Sequence, residues 1–285
     1  MLKELARAKI NLTLDILGVR ADGYHEVSMI MQTIELADEV ELEKISGGIS
    51  LAMDATKIQG GENIPTDERN LAWKAAIEFQ KFCGKNFGVA IRLTKKIPAA
   101  AGLAGGSADA AAVIRGMNRL YETRLTEREL CEIGARVGSD VPFCIIGGTC
   151  LAEGRGATLT RLTPIKNFSV ILAKPDGEIS TAWAYKTYDE NPAKTHPPNE
   201  KIIKQLAHGD YDAAFKNFFN ALEDVALKKI LAIADCKKKM FAAGAKVALM
   251  SGSGPTVFAL TDNNLIAEKI AASIENAQVF ITKTF

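Results

Sequence analysis

The 285-residue chain predicts an α+β fold in two domains, on three observations. At about 150 residues per domain, the length suits two units that each bury a core. Segments with a two-residue apolar period and segments with helical spacing interleave without regular βαβ alternation. The composition, 47% hydrophobic and 24% charged, is that of an ordinary globular protein, so long disordered stretches are not expected. The glycine-rich stretch 147–156 marks the boundary, which divides the chain into 1–155 and 156–285.

From Ala8 to Ile16 the sequence alternates strictly. Ala8, Ile10, Leu12, Leu14 and Ile16 are apolar, whereas Lys9, Asn11, Thr13 and Asp15 are polar, which predicts a strand with one buried and one polar face. A loop from Gly18 to His25 leads into a β-rich stretch over Ser28 to Leu51, with turns at Gly47-Gly48 and Gly60-Gly61. Asn70 to Phe82 reads as an amphipathic helix and Phe87 to Leu93 as a strand. Residues 98–112 hold eight Ala and three Gly, first as a loop and then as a helix running toward Tyr121. Thr126 caps a further helix, with Glu129 three residues on as in a capping box, and that helix stops near Gly138. Gly147-Gly148 and Gly154-Arg155-Gly156 bracket a short strand. Phe168 to Ala173 is a strand, Asp189 to Pro198 a polar loop, and Asn199 to Ala243 mainly helical. Strands at Lys246–Met250, Thr256–Thr261 and Ala277–Thr282 and a helix over Leu265–Ile274 close the chain.

Charge and cysteine content narrow the function. Thirty-five Lys+Arg against 34 Asp+Glu leave a formal charge of +1 with no basic stripe, unlike a protein that grips nucleic acid through many phosphates. Lys237-Lys238-Lys239 reads as a solvated helix face. The start, Met1 to Arg7, is broken by charge before a signal-peptide core could form, and no run approaches the ~18 apolar residues of a membrane span. A cytoplasmic protein without a membrane partner is therefore expected. The five cysteines are odd in number and contain no C-x-x-C pair, which favours buried reduced thiols over zinc or disulfides. His196 and His208 read as surface residues.

Gly102 to Ser107 is the strongest chemical signal. Its glycines allow positive φ and close backbone approach, and the Ala-rich segment that follows favours a helix whose N-terminus would attract an anion. Ser107 either caps that helix or offers its hydroxyl to a phosphate-bound Mg²⁺. A glycine hinge before a buried alanine helix fits the same composition. Neither G-x-x-x-x-G-K-[ST] nor a strand-borne G-x-G-x-x-G occurs, which argues against a Walker loop and a dinucleotide fold.

Pro98-x-x-x-Gly102-Leu103-Ala104-Gly105-Gly106-Ser107 resembles the phosphate-binding motif of the GHMP small-molecule kinases. Ala8 to Leu12, Arg20-Ala21-Asp22-Gly23-Tyr24-His25, Gly138 to Phe143, Ala152 to Gly156 and Ser251 to Phe258 follow in the order of those members that act on a cytidine diphosphate derivative of methylerythritol. The resemblance spans Ala8 to about Phe258. It departs from the family where Ala101 and Ala104 stand in place of frequent glycines and Ala108 in place of a common serine. Alanine there is expected only with negative φ, in a somewhat stiffer loop.

The resemblance implies an ATP-dependent kinase with a ribosomal-protein-like N-terminal domain, an α/β sandwich C-terminal domain and an active site in the cleft between them. It implies Lys9 and Asp140 as the catalytic pair. ATP would be held by Pro98, Ala99, Ala100, Ala101, Gly102, Leu103, Ala104, Gly105, Gly106, Ser107 and Ala108, with Asn70 and Lys95 as further contacts. The substrate would meet Asn11, Tyr24, His25, Thr181 and Tyr185, with Mg²⁺ as cofactor on unassigned ligands and the chain a monomer or weak homodimer. Read without the resemblance, Lys9 is a solvated strand residue, Asp140 part of an ordinary turn, Tyr24-His25 a cover for a core edge, and Lys95-Lys96 a solvated strand end. A homoserine or mevalonate type of GHMP kinase, or a non-catalytic nucleotide-binding relative, is the alternative reading.

Overall fold

In the computed structural model, residues 1–165 and 167–285 are described. They form two compact units, each discontinuous in sequence. One comprises Met1–Ala8, Leu36–Ala99 and Ala104–Gly147, the other Lys9–Glu35, Ala100–Leu103 and Gly148–Phe285. Two long strands, β1 (Leu2–Val19) and β2 (His25–Lys44), contribute residues to both.

In the first unit, β3 (Ile49–Asp54) pairs parallel with β4 (Val89–Thr94), which pairs antiparallel with Glu39–Lys44 of β2. The Glu-Val-Glu-Leu-Glu alternation fixes the register, because Val40 and Leu42 are fully buried opposite the β4 core positions Leu93 and Ile91. Helix α1 (Leu71–Cys83) starts at Asn70, whose Oδ1 accepts from Ala72 N at 2.9 Å, and ends at Gly84 in the left-handed conformation. Helix α2 (Gly105–Leu120) buries Ala108 and Ala110 to Ile114, and it has no side chain at Gly116, where a Cβ would run into Leu42. Helix α3 (Glu127–Val137) carries the expected capping box on Thr126 and Glu129. Helix α4 (Val141–Ile146), not foreseen from sequence, begins after Asp140 with Pro142 in its first turn, and Ile145 lies 2.9 Å from where a Cβ on Gly134 would be.

In the second unit, β5 (Thr149–Gly154) runs antiparallel to Val27–Gln32 of β2, and β6 (Thr158–Arg161) antiparallel to β5. A separate antiparallel sheet contains β7 (Ser169–Pro175), and the two-residue strand β8 (Phe219–Asn220) lies parallel to β1. With β9 (Val247–Met250), β10 (Val257–Thr261) and β11 (Ala277–Lys283), the separate sheet has the order β11-β7-β10-β9. Among the described residues six helices complete the unit: α5 (Thr181–Glu190), α6 (Asn199–Ala207), α7 (Tyr211–Phe215), α8 (Glu223–Lys229), α9 (Ala232–Ala242) and α10 (Asn264–Ala272). Both faces of β7 and β10 are buried, which explains why they read as continuous apolar runs rather than as alternation.

Several expectations are corrected. The polar face of β1 is buried: Lys9, Asn11, Thr13 and Asp15 are 4, 1, 0 and 4% exposed. Alternation reports a difference between faces, and here the second face is covered by polar partners instead of water. Thr13 donates to Asn199 Oδ1 at 2.8 Å, and Asp15 Oδ1 accepts from Ile16 N at 2.9 Å. His196 is exposed, as expected, and its Nδ1 lies 2.8 Å from Asp15 Oδ1. His208 is exposed as expected. Lys237 pairs with Glu223, and Lys239 with Asp235 and Glu275, so the triple-lysine run is not simply solvated. No cysteine is in a disulfide; Cys150 and Cys236 are buried and the other three half-buried. Among the described residues no helix is long and apolar enough to cross a membrane.

Candidate active site

The period of β1 places Lys9 and Asn11 on one face. There the Lys9 ammonium donates to Asn11 Oδ1 at 2.7 Å and to the Gly102 carbonyl at 3.0 Å. The backbone of Lys9 donates to Leu103 O at 3.1 Å, so strand and glycine loop are tied twice. Ser251 joins the same point: its Oγ donates to Gly102 O at 3.0 Å and accepts from Asn11 N at 3.4 Å. Burial of an ammonium is costly unless its donors are met, and these two oxygens meet two of the three.

Glycine is required at both turns that meet here. Gly102 has φ 74°, and a Cβ on it would run into the Ser251 carbonyl oxygen. Gly252 has φ 57°, and a Cβ there would lie 3.0 Å from Gly102 O and 3.2 Å from Lys9 Nζ. Two residues that carried no sequence signal hold this turn. Asn220 Nδ2 donates to the carbonyls of Met250 and Gly252, each at 2.8 Å, and Glu223 accepts from Met250 N at 2.8 Å. Both act through long-range contacts, which no local pattern encodes.

The remainder of the glycine motif lies in the first unit. Helix α2 starts at Gly105, so Ser107 sits inside the first turn and does not cap it. The first turn of a helix leaves its N–H groups without helical partners, and these, with the helix dipole, suit an anion. The expectation of negative φ at the alanines fails at Ala104, which has φ 57° and occupies the position before the helix, and Ala100 likewise has φ 48°. Ala101 is buried and keeps its φ outside that region.

Lys95 is not a solvated strand end. It is 3% exposed, and its ammonium donates to Asp109 Oδ2 at 2.5 Å and to Asp38. Asp38 also accepts from the backbone of Lys96 at 2.5 Å and of Ile97 at 2.8 Å, which fixes the segment leading into Pro98. Burial lowers the Lys95 ammonium, but the two carboxylates more than offset this and raise it. Burial pushes the Asp109 carboxyl up to about 7 against the pull of Lys95. Asp109 Oδ1 is buried without a hydrogen-bond partner among the described residues. Lys96 is half-exposed and pairs with Glu39 at 2.6 Å. Asn70 is engaged at both ends of its amide, as the α1 cap and through Nδ2 to Pro65 O at 2.7 Å. Asp140 is half-buried at the start of α4, and its side chain makes no cap bond to that helix.

A second group of the expected residues gathers in the second unit. Thr181 and Tyr185 lie four residues apart on one face of α5, with Asp189 a further four on. His25 Nε2 lies 2.8 Å from Asp189 Oδ1, and its ring centroid lies 4.6 Å from that of Tyr185 at a 39° tilt. Thr181 Oγ1 lies 3.1 Å from Ser253 Oγ, which links α5 to the Ser251–Gly254 turn. Tyr24 is 54% exposed, with the Arg155 guanidinium 5.8 Å over its ring. Its turn is held by Asp22, which accepts from Tyr24 N at 3.2 Å; that bond, with Arg20, keeps the Asp22 carboxyl below its ordinary range. A buried ammonium beside a glycine loop suits phosphate chemistry, and exposed and half-exposed aromatic faces suit a flat heterocycle.

Comparison with known proteins agrees with this chemistry. Residues 70–148 match the family profile described as GHMP kinases N terminal domain, and residues 202–279 that described as GHMP kinases C terminal. A 4-diphosphocytidyl-2-C-methyl-D-erythritol kinase of Clostridium beijerinckii is 44% identical over 99% of this chain and 100% of its own length. The protein of that name in Acetivibrio thermocellus is 43% identical over 98% of this chain and 97% of its own. Among solved structures, a 4-(cytidine 5'-diphospho)-2C-methyl-D-erythritol kinase is similar with TM-score 0.81 and 30% identity, over 99% of each chain.

Proposed function

Since the chain belongs to the GHMP kinase family, and thus acts with ATP on a small molecule, we propose that it phosphorylates the 2-hydroxyl of 4-diphosphocytidyl-2-C-methyl-D-erythritol. The products are its 2-phosphate and ADP, in the non-mevalonate route to isopentenyl diphosphate. The observation that carries this reading is the Lys9 ammonium, buried and held by Asn11 and the Gly102 carbonyl beside the Ser251–Gly254 turn.

Transfer of the γ-phosphoryl group to an alcohol needs a base for the hydroxyl proton and positive charge where negative charge builds up. Asp140 accepts that proton. Lys9 orients the hydroxyl and stabilises charge on the transferring group. The loop from Pro98 to Ala108 holds the phosphates through backbone amides and the start of α2, while the buried Asn70 and Lys95 serve the nucleotide side by fixing the segments that flank that loop. Tyr24, His25 and Tyr185 receive the cytosine, and Asn11 and Thr181 contact the rest of the substrate.

Mg²⁺ would be carried by the nucleotide's phosphates, where it would offset their charge. Among the described residues no three carboxylates, imidazoles or thiols gather to hold a metal, whereas this hard ion is commonly carried by phosphates and water. In this reading the chain is a cytoplasmic monomer or weak homodimer of two domains, 1–155 and 156–285. It takes no nucleic acid, in keeping with its net charge of +1. With ATP and the cytidine diphosphate substrate, ADP should form in step with a new phosphomonoester at the 2-oxygen, read by ³¹P NMR. ADP release without that ester contradicts the proposal.

A further inference from the structure

The structure points to Asp189 as a positioning residue: we propose that it fixes the tautomer of His25 and so makes the base site choose cytosine over uracil. The inference rests on the reading of His25 as a contact to the base. Asp189 belongs to the α5 face that also carries Thr181 and Tyr185, and it was not among the residues singled out from sequence.

The geometry is simple. Asp189 Oδ1 lies 2.8 Å from His25 Nε2, and a carboxylate only accepts hydrogen bonds, so the ring proton sits on Nε2. The neutral ring then has a lone pair on Nδ1. Nδ1 makes no hydrogen bond among the described residues, and the ring plane is set by Tyr185 at 4.6 Å between centroids. A fixed acceptor beside an aromatic wall selects a base that presents a donor there. Cytosine offers its exocyclic amine, whereas uracil has a carbonyl oxygen at the same position and would face Nδ1 lone pair to lone pair. A site built around one such bond rejects the analogue that cannot make it far more strongly than shape alone would.

Exchanging the carboxylate for an amide tests this directly. In Asp189→Asn the amide can turn its NH₂ toward Nε2, which moves the ring proton to Nδ1 and presents a donor in place of an acceptor. Asp189 is largely exposed, so the variant should fold, and Asp189→Ala supplies a side chain with no preference. The tautomer is read from long-range ¹H–¹⁵N spectra at about pH 8, above the ordinary imidazole range, with His25→Gln assigning the signal. The consequence is read from the affinities of CDP and UDP, which need no turnover. The wild type should show Nε2–H and bind CDP on the order of 100-fold more tightly than UDP. Asp189→Asn should weaken CDP, strengthen UDP and bring the ratio to about 10-fold or below, with Asp189→Ala between. A gain in UDP affinity is not something a merely structural role would produce. Nδ1–H in the wild type, or an unchanged CDP preference in Asp189→Asn, overturns the role of Asp189. Equal affinity of the wild type for CDP and UDP overturns the cytosine reading itself, and this inference with it.

Discussion

Ser251 and Gly102 are in contact through two atoms of the serine: Oγ donates to the Gly102 carbonyl at 3.0 Å, and the Ser251 carbonyl oxygen fills the space a side chain on Gly102 would need. The phosphate loop is therefore shaped by the last glycine turn of the chain as well as by its own sequence. Gly102→Ala must both leave φ 74° and displace backbone, not a flexible side-chain end. Stability should fall by about 2 kcal/mol by urea unfolding, with a rise in KM for ATP. Unchanged values for both would mean that the two turns do not depend on each other.

Ala104 offers the opposite experiment. Its left-handed φ of 57° strains an L-residue by roughly 1–2 kcal/mol. Ala104→Gly removes that strain and frees the unfolded chain by about 0.4–1 kcal/mol. A net gain of about 0.5–1 kcal/mol should register as a higher Tm. A lower Tm would show that the alanine is held without strain.

The Lys95, Asp38 and Asp109 cluster makes a prediction about pH. Asp109 binds its proton more tightly folded than unfolded, since burial pushes its carboxyl up to about 7. The associated stability is complete below the ordinary carboxyl range near about 4 and is lost as pH rises toward about 7. Relative to Asp109→Asn, the wild type should therefore lose unfolding free energy from about pH 5 to 7, at no more than about 1.4 kcal/mol per pH unit. Parallel pH profiles for the two proteins would contradict this. Lys95→Met leaves two carboxylates buried without their cation and should cost about 3–5 kcal/mol.

For the chemistry itself, Asp140→Ala should lower kcat by about 10²–10⁴-fold with ATP binding retained, as loss of a general base does. Lys9→Ala should act similarly. Lys9→Arg should not rescue, because Nζ lies only 3.2 Å from the Cβ position of Gly252 and a planar fork cannot replace a compact ammonium there. Near-normal kcat in Asp140→Ala, measured by ADP release, would remove it from the mechanism.

The fold and the site were legible in the sequence to different depths. Caps and turns are local, so the Thr126–Glu129 box and the glycine turns were readable, and the interleaved two-residue and helical periods pointed to the α+β layout. Burial of the β1 polar face was not readable, because Thr13 is satisfied by Asn199 and Asp15 faces His196, each more than a hundred residues away. The same holds for Lys95, whose surroundings depend on Asp38, and for Asn220 and Glu223, which brace a turn they do not precede. The positive φ of Ala104 went unseen because composition argues for the residue's preference, and tertiary contacts overrode it.

The central claim, that the site transfers phosphate to the methylerythritol moiety of a cytidine diphosphate, is tested most directly by coupled ADP release with that substrate beside mevalonate, homoserine and galactose. The account predicts turnover with the cytidine diphosphate substrate and only background with the other three. Turnover of any of those three, with none on the cytidine diphosphate substrate, would contradict it.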